Sequence, residues 1–256
     1  MRLLRVAYNL IKLITLLSLS VSGLVHAANN ALDFDGTNDY LTISDHSSLD
    51  VTGNIAIQAW IELDGADTGI ILLKSASGLA ADMSYALRLP GTGRVRFELG
   101  GGSGASNFDG AGNNYATCIT PNNTISTGNK YHIVGYRNGR EMGIYINGES
   151  ACQDTTAIAT GQLIQATNAD VAIGYFPSFG QYVNGQIDEV AIWKNDTLTV
   201  DEITALYNSG NGLDAAVDSG NYNASSTLAA YWKMNEGTGS STTDSSANSN
   251  TAMPPG

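Results

Sequence analysis

A short segment rich in aromatic residues is the part of the sequence best suited to binding a ligand. It reads GYFPSFGQYVNG (174–185), and four aromatic side chains lie close together in it: Tyr175, Phe176, Phe179 and Tyr182. Aromatic rings stack on the apolar faces of sugars. Pro177 and Gly180 indicate a loop, and long loops often pack their own side chains. The segment therefore has two candidate roles, a rim that binds a glycan or a hydrophobic plug.

The histidines lack the residue patterns that accompany nucleophilic catalysis. His26 follows an N-terminal apolar run, His46 lies among loop-forming residues, and His132 begins an alternating segment. No nucleophile motif accompanies His46 or His132. The sequence therefore predicts a protein that is not an enzyme.

The two cysteines, Cys118 and Cys152, predict one disulfide bond. An even pair in an exported chain is most simply a bridge, and two cysteines alone do not complete a zinc site. On the chain-entropy model such a bridge contributes roughly 3–4 kcal/mol to stability.

The first residues predict export. Arg2, Arg5 and Lys12 precede or flank an apolar run at 13–25, and Val25-His26-Ala27 supplies a small-residue cleavage pattern. The run is shorter than the roughly 20 residues of a membrane-spanning helix. We therefore predict a signal peptide over residues 1–27 rather than an anchor, no membrane insertion after its cleavage, and a secreted or cell-surface location.

The chain is strongly acidic. Its formal charge is −12, from 12 basic and 24 acidic residues, and removal of three basic residues with the signal peptide would make it −15. Nucleic acid is excluded as a partner because its phosphates would be repelled. The acidity is compatible with glycans and with cations such as calcium.

Hydrophobic residues alternate along most of the chain. NIAIQAWIEL (54–63) and RVRFEL (94–99) place apolar residues at every second position, which is typical of half-buried strands. Asn138-Gly139 and Asn147-Gly148 mark hairpin turns. One helix is predicted near 199–209, where Thr199 and Glu202 form a capping box. The pattern predicts an all-β sandwich that forms a single domain over residues 28–256, with Trp193 and Trp232 in its core and Trp60 within a second sheet face.

Three blocks of the sequence resemble a known family. They are ALDFDGTNDYLTISDHSSLDVTGNIAIQAWIEL (31–63), KYHIVGYRNGREMGIYINGES (130–150) and IGYFPSFGQYVNGQIDEVAIWKNDTLTVDEITALYNSG (173–210). In this order they resemble the LamG-like jelly-roll domains of the concanavalin A-like lectin/glucanase superfamily. The resemblance implies a two-sheet antiparallel jelly roll. It leaves the function open among lectins, adhesion modules, structural domains and glycan hydrolases.

The last part of the chain resembles the beginning of the family pattern. LAAYWKMNEGTGSSTTDSSANSNT (228–251) is similar to a segment that normally precedes the strand seen here at 31–34. Either residues 228–251 supply a permuted first strand of this domain, or they begin a truncated repeat. The permuted strand is favoured because it buries aromatic residues that a free tail would expose. The tail after Met234 has few apolar residues and is predicted to be partly mobile.

Hydrolases of the superfamily carry an E-x-D-x-x-E motif on one strand, and this chain only approaches it. The nearest match is Glu62-Leu63-Asp64-Gly65-Ala66-Asp67. Its last acid is Asp67, and Gly65 ends the strand, so the carboxylates would not line one cleft.

The resemblance also implies a structural calcium ion. The segment QIDEVAI resembles the family strand whose aspartate binds calcium, which indicates Asp188, with Glu236 from the last segment as a partner. Asp35 and Asp39 are further candidates, although such acids also cap turns. Oxygen ligands of this kind suit Ca²⁺. The alternative for Asp188 is a carboxylate that pairs with backbone amides.

Taken together, these features favour a secreted, non-catalytic, lectin-like or adhesion module that binds a glycan or a surface glycoprotein. The alternative is a structural or appendage domain that binds protein without binding sugar. A glycoside hydrolase or lyase is the third and least favoured function.

Overall fold

The fold is described from a computed structural model of the chain, which describes residues 30–65, 68–77, 82–102, 104, 106–176, 180–237 and 241–254. The predicted signal peptide, Asp67 and Phe179 lie outside these ranges, as does the side chain of Phe176. The regular secondary structure of the described residues is mainly β-strand.

In the described ranges, fifteen strands and one α-helix form the framework. The strands are β1 Leu32–Asp35, β2 Leu41–Ile43, β3 Ile55–Leu63, β4 Thr68–Ser75, β5 Met83–Pro90, β6 Arg96–Gly100, β7 Tyr115–Ile119, β8 Lys130–Asn138, β9 Glu141–Ile146, β10 Glu149–Asp154, β11 Val171–Ile173, β12 Tyr175–Phe176, β13 Gln181–Tyr182, β14 Asn184–Lys194 and β15 Leu228–Trp232. The helix α1 is Val200–Tyr207, and short 3-10 helices occur at Ser47–Leu49, Asn208–Gly210 and Ser225–Thr227.

The strands form two large antiparallel sheets and one small hairpin. The larger sheet has seven strands in the order β1-β14-β3-β8-β9-β10, and β15 also pairs with β14. The smaller sheet has six strands in the order β2-β11-β4-β5-β6-β7, and β12 pairs with β13. The predicted two-sheet jelly-roll sandwich with one short helix is confirmed.

The main core lies between the two sheets. Alternate residues of β3 face it, namely Ile55, Ile57, Ala59, Ile61 and Leu63, and they meet Leu87, Phe97 and Leu99 of the smaller sheet. Trp232 is also fully buried in this core. The alternation that predicted strands therefore also sorts the side chains into inner and outer faces.

A second hydrophobic cluster covers the outer face of the larger sheet. Ile203 and Leu206 of α1 pack there with Trp193 and Tyr222. The predicted capping box is present, because Thr199 accepts from the Glu202 amide and Glu202 caps Thr199 in return. The helix ends at Tyr207, and its C-cap Asn208 has a left-handed backbone two residues before the predicted stop at Gly210. This helix fixes the segment that follows it above β3 and β8.

The predicted disulfide bond is present. Cys118 on β7 and Cys152 on β10 are bonded across a sequence separation of 34. Because β7 belongs to the smaller sheet and β10 to the larger, the bond joins the two sheets covalently at one edge.

The last strand, β15, and the first strand, β1, both pair with β14, at adjacent positions along it. β15 pairs with Val190–Trp193 of β14, and β1 pairs with residues 184–187 of the same strand. Both run antiparallel to β14, so the end of β15 points toward the start of β1. The location of β15 agrees with a permuted first strand, and the permutation itself stays a prediction.

The prediction that the tail after Met234 is partly mobile is wrong for the described residues 241–254. Thr242, Asn250 and Ala252 are buried, and Met253 exchanges two backbone hydrogen bonds with Thr42 of β2. Trp232 donates its indole N–H to the Asn250 carbonyl at 2.6 Å. Composition failed here because polar side chains and backbone groups hold the tail, rather than apolar contacts.

Candidate functional site

The aromatic segment forms a tyrosine patch beside β4 of the smaller sheet. Tyr175 and Tyr182 face each other across the β12–β13 hairpin with ring centroids 4.7 Å apart, and Tyr40 lies 4.6 Å from Tyr175. We call Tyr40, Tyr175 and Tyr182 the tyrosine patch. All three rings are half-buried. Part of each ring therefore packs within the patch, and part is available to a ligand.

A β-bulge reshapes the outer face of the larger sheet. Asp188 lies opposite Trp60 and Ala191 opposite Gln58, so two residues of β14 face one residue of β3. Glu189, inside the bulge, has a left-handed backbone with φ 51°. Ile187 and Val190 both point into the core, which leaves Asp188 and Glu189 together on the outer face.

The Glu189 carboxyl group has an unusual environment. It accepts a hydrogen bond from the Tyr231 hydroxyl of β15. Burial raises the pKa of Glu189 to about 7; the Tyr231 hydrogen bond opposes this, Asp188 and Asp214 add to it, and Lys233 opposes it. A carboxyl group with a pKa near neutrality holds its proton in part at physiological pH, so it both donates and accepts hydrogen bonds.

A buried aromatic stack supports this face from below. The Trp60 ring lies 5.0 Å from His132 and 5.9 Å from Tyr207, and His132 lies 6.1 Å from Tyr207. His132 Nε2 is 2.9 Å from Gln58 Oε1, and the Gln58 amide donates to the Glu189 carbonyl, so Nε2 carries the proton. Burial lowers the pKa of His132 to about 3, which keeps the ring neutral. His132 therefore has a structural role.

A cleft of about 420 Å³ opens above this stack. We call it the outer cleft; its floor is Trp60 and Tyr231, and its rim is Lys130, Glu189, Asn208, Asn211, Gly212, Leu213, Asp214, Lys233 and Asn235. Lys130 Nζ lies 5.0 Å above the Trp60 ring, and Lys233 Nζ lies 2.7 Å from Asp214 Oδ2. The outer cleft thus combines three amides, two ammonium groups and two carboxyl groups around an aromatic floor.

The predicted calcium ligands do not converge on one point. Asp188 is 2% exposed and accepts the Glu189 amide, whereas the Glu236 carboxylate is held by Thr242 and Thr243. Asp35 pairs with Asn184, which is four residues along β14 from Asp188. Asp35 and Asp188 are therefore separated by roughly 13 Å along the sheet. Asp35 accepts the Thr37 amide in a turn. In the described ranges, no group of three or more His, Cys, Asp or Glu side chains is arranged to hold a metal ion.

The partial hydrolase motif is split between strand and turn. Glu62 lies on β3, whereas Asp64 follows the end of that strand and is exposed. Glu62 lines a small depression of about 90 Å³ with Trp60, Lys130, Gln186 and Asp188. The two acids therefore do not lie along one strand as the motif requires.

Sequence reasoning missed Tyr40, Lys130, Glu189, Asn208 and Asn211. One signal was available for Glu189, because Ile187 and Val190 are three residues apart in a strand that otherwise alternates by two. No local signal brings Lys130, Asn211 and Asn235 together, since they meet only through long-range pairing.

The two-sheet fold agrees with the result of a comparison with protein families. A family model described as the concanavalin A-like lectin/glucanases superfamily matches residues 35–204. The chain belongs to this superfamily. The superfamily assignment confirms the predicted LamG-like resemblance, and the match runs from the last residue of β1 into α1. A search of curated proteins found no match.

Solved structures with the superfamily fold resemble this chain at low sequence identity. A "putative carbohydrate binding protein" from Bacteroides ovatus matches with a TM-score of 0.60 and 18% identity, over 88% of this chain and 58% of that one. A heptameric SAP-like pentraxin from Limulus polyphemus matches with a TM-score of 0.47 and 18% identity, over 71% of this chain and 82% of that one. Domains LG4-5 of the mouse laminin alpha1 chain match with a TM-score of 0.49 and 15% identity, over 66% of this chain and 42% of that one.

These likenesses concern the fold alone. The present chain spans only 58% of the length of the Bacteroides ovatus protein. In the part of the chain described, no helix is long and apolar enough to cross a membrane.

Proposed function

We propose that the protein is a non-catalytic, lectin-like module that binds a glycan in the outer cleft. The observation that carries the proposal is the mixture of hydrogen-bonding groups on the rim of that cleft. The amides of Asn208, Asn211 and Asn235 both donate and accept, Lys130 donates, and Asp214 accepts. Sugar hydroxyl groups also donate and accept, so such a mixture complements them.

Several rim side chains are available to a ligand. Asn235 and Lys130 are exposed, and within the described chain neither side chain makes a hydrogen bond. A ligand that bonds to them therefore replaces water without breaking hydrogen bonds within the protein. The description of the Bacteroides ovatus protein as carbohydrate binding is consistent with this role, and the cleft remains the main support.

Glycan-array screening followed by calorimetry tests the proposal. We expect a glycan to bind, and we expect Lys130→Ala or Asn235→Ala to weaken its affinity by about tenfold each, the loss of roughly one net hydrogen bond. Asn122→Ala, which changes an exposed asparagine in a loop after β7, is the matched control and should bind normally.

The tyrosine patch is the alternative site for the same function. If Tyr175→Ala abolishes binding while Lys130→Ala and Asn235→Ala have no effect, the ligand binds at the patch. The absence of binding to every neutral and acidic glycan, with calcium present, would contradict the lectin function and favour a structural, protein-binding domain.

Glycan cleavage is the second candidate, and Glu189 is the observation that favours it. A carboxyl group with a pKa of about 7 beside Asp188 and Asp214 is the kind of group that acts as a general acid. Release of reducing ends from a bound polysaccharide, abolished by Glu189→Gln, would replace the non-catalytic proposal. We expect no release from either protein.

Calcium bound at Asp188 is a further part of the proposal. Gly237 packs against Asn30, and the adjacent Ala31 lines the depression that contains Asp188. An ion there would take its other ligands from backbone carbonyls, amides and water. Chelation is expected to lower the melting temperature of the wild type and to leave Asp188→Asn unchanged. Asp35→Ala, remote from Asp188, should retain the effect of the chelator; a wild type insensitive to chelation would remove calcium from the account.

Export to the cell surface or medium is proposed together with this function. The Cys118–Cys152 disulfide supports it, since such bonds persist in oxidising compartments.

A further inference from the structure

We propose that the ligand is an internal stretch of a neutral polysaccharide, which crosses the outer cleft and continues beyond both of its ends. This inference rests on the proposed function and specifies its ligand. It comes from the depressions that adjoin the cleft and from the charges around them.

The outer cleft has a depression at each end. Trp60 and Lys130 line both the cleft and the 90 Å³ depression that contains Gln186. At the other end, Asn208 and Leu213 line both the cleft and a groove of about 450 Å³. A binding site for a single terminal sugar needs one closed cavity, whereas adjoining open depressions accommodate a chain that enters and leaves.

The far groove presents both polar and apolar groups. It runs between α1 and the turn at 219–221, and it is lined by small polar residues that include Thr204, Ser209 and Asn221. Asn221 and, at the opposite end, Gln186 are exposed, and neither side chain makes a hydrogen bond within the described ranges. These two amides are therefore available to sugar units outside the central cleft.

The charges in this surface disfavour an anionic chain. The cleft itself contains Lys130 and Lys233 against Glu189 and Asp214, and Lys233 is already paired with Asp214. Glu62 and Asp188 flank one end, and Asp201 lies in the far groove. A polysaccharide with uronic acid or sulfate groups would meet these carboxylates, so a neutral chain fits better.

Calorimetry with oligosaccharides of increasing length, cut from a neutral polysaccharide that binds, tests the inference. We expect hexasaccharides to bind at least about tenfold more tightly than disaccharides of the same linkage. Asn235→Ala, in the central cleft, should weaken all lengths equally. Gln186→Ala and Asn221→Ala should weaken the hexasaccharide by several-fold and leave the disaccharide unchanged. Acidic polysaccharides should bind more weakly than neutral ones at the same ionic strength.

The failures of the two proposals are distinguishable. Affinity that depends on Asn235 but not on chain length would overturn the extended site and leave glycan binding intact. Preference for an acidic polysaccharide would overturn the neutral ligand. Binding that ignores Asn235, Gln186 and Asn221 alike would overturn both proposals.

Discussion

At the scale of single residues, Glu189 is the most informative position in the molecule. It combines a left-handed backbone, a place in the bulge of β14 and a hydrogen bond from Tyr231. Its pKa is raised to about 7, chiefly by burial. The folded protein therefore binds this proton more tightly than the unfolded chain does, and stability falls as pH rises from about 4.5 to 7.

Glu189→Gln should remove this pH dependence. The glutamine amide retains an oxygen that accepts the Tyr231 hydrogen bond, but it carries no charge. We therefore expect the free energy of unfolding of Glu189→Gln, relative to that of the wild type, to grow between pH 5 and pH 8 by up to about 3 kcal/mol. Urea denaturation of both proteins at several pH values measures it. Tyr231→Phe is the companion variant. Loss of its hydrogen bond should raise the pKa of Glu189 further, so the loss of stability should extend to higher pH. A difference between wild type and Glu189→Gln that does not vary with pH would contradict the raised pKa.

At the scale of elements, β15 and the tail that follows it act as one unit. Asp244 holds this unit together, because its carboxylate accepts from the amides of Tyr231, Ser246 and Asn250. The tail in turn pairs with β2, at the edge of the smaller sheet, through Met253. The described residues of β15 and of the tail at 241–254 therefore contact both sheets.

Asp244→Ala should loosen this unit and destabilise the whole domain. Loss of several charge-assisted hydrogen bonds is expected to lower the free energy of unfolding by on the order of 2 kcal/mol or more. Amide hydrogen exchange should increase at Tyr231 and Thr42. Asp109→Ala removes a similar set of bonds within one loop and should leave exchange at those two amides unchanged. If Asp244→Ala unfolds like the wild type and exchange at Tyr231 and Thr42 is unchanged, Asp244 does not hold the tail to β15.

At the scale of the whole molecule, the sequence predicted architecture better than function. Alternation in segments such as 54–63 fixes which side chains face the core, and Cys118 with Cys152 correctly predicted a disulfide bond, although not that it joins the two sheets. The outer cleft was not predictable, because Trp60, Asn211 and Asn235 are brought together only by strand pairing and by the packing of α1 on the larger sheet. The buried tail was missed for a related reason: its contacts are polar and specific, and composition does not record them.

The central claim is that a glycan lies across the outer cleft, and a crystal structure of the protein with a bound oligosaccharide tests it most directly. We expect the sugar to contact Lys130, Asn211 and Asn235 above Trp60 and Tyr231, with further units toward Gln186 and Asn221. A sugar stacked on the tyrosine patch, with no sugar in the outer cleft, would contradict the account.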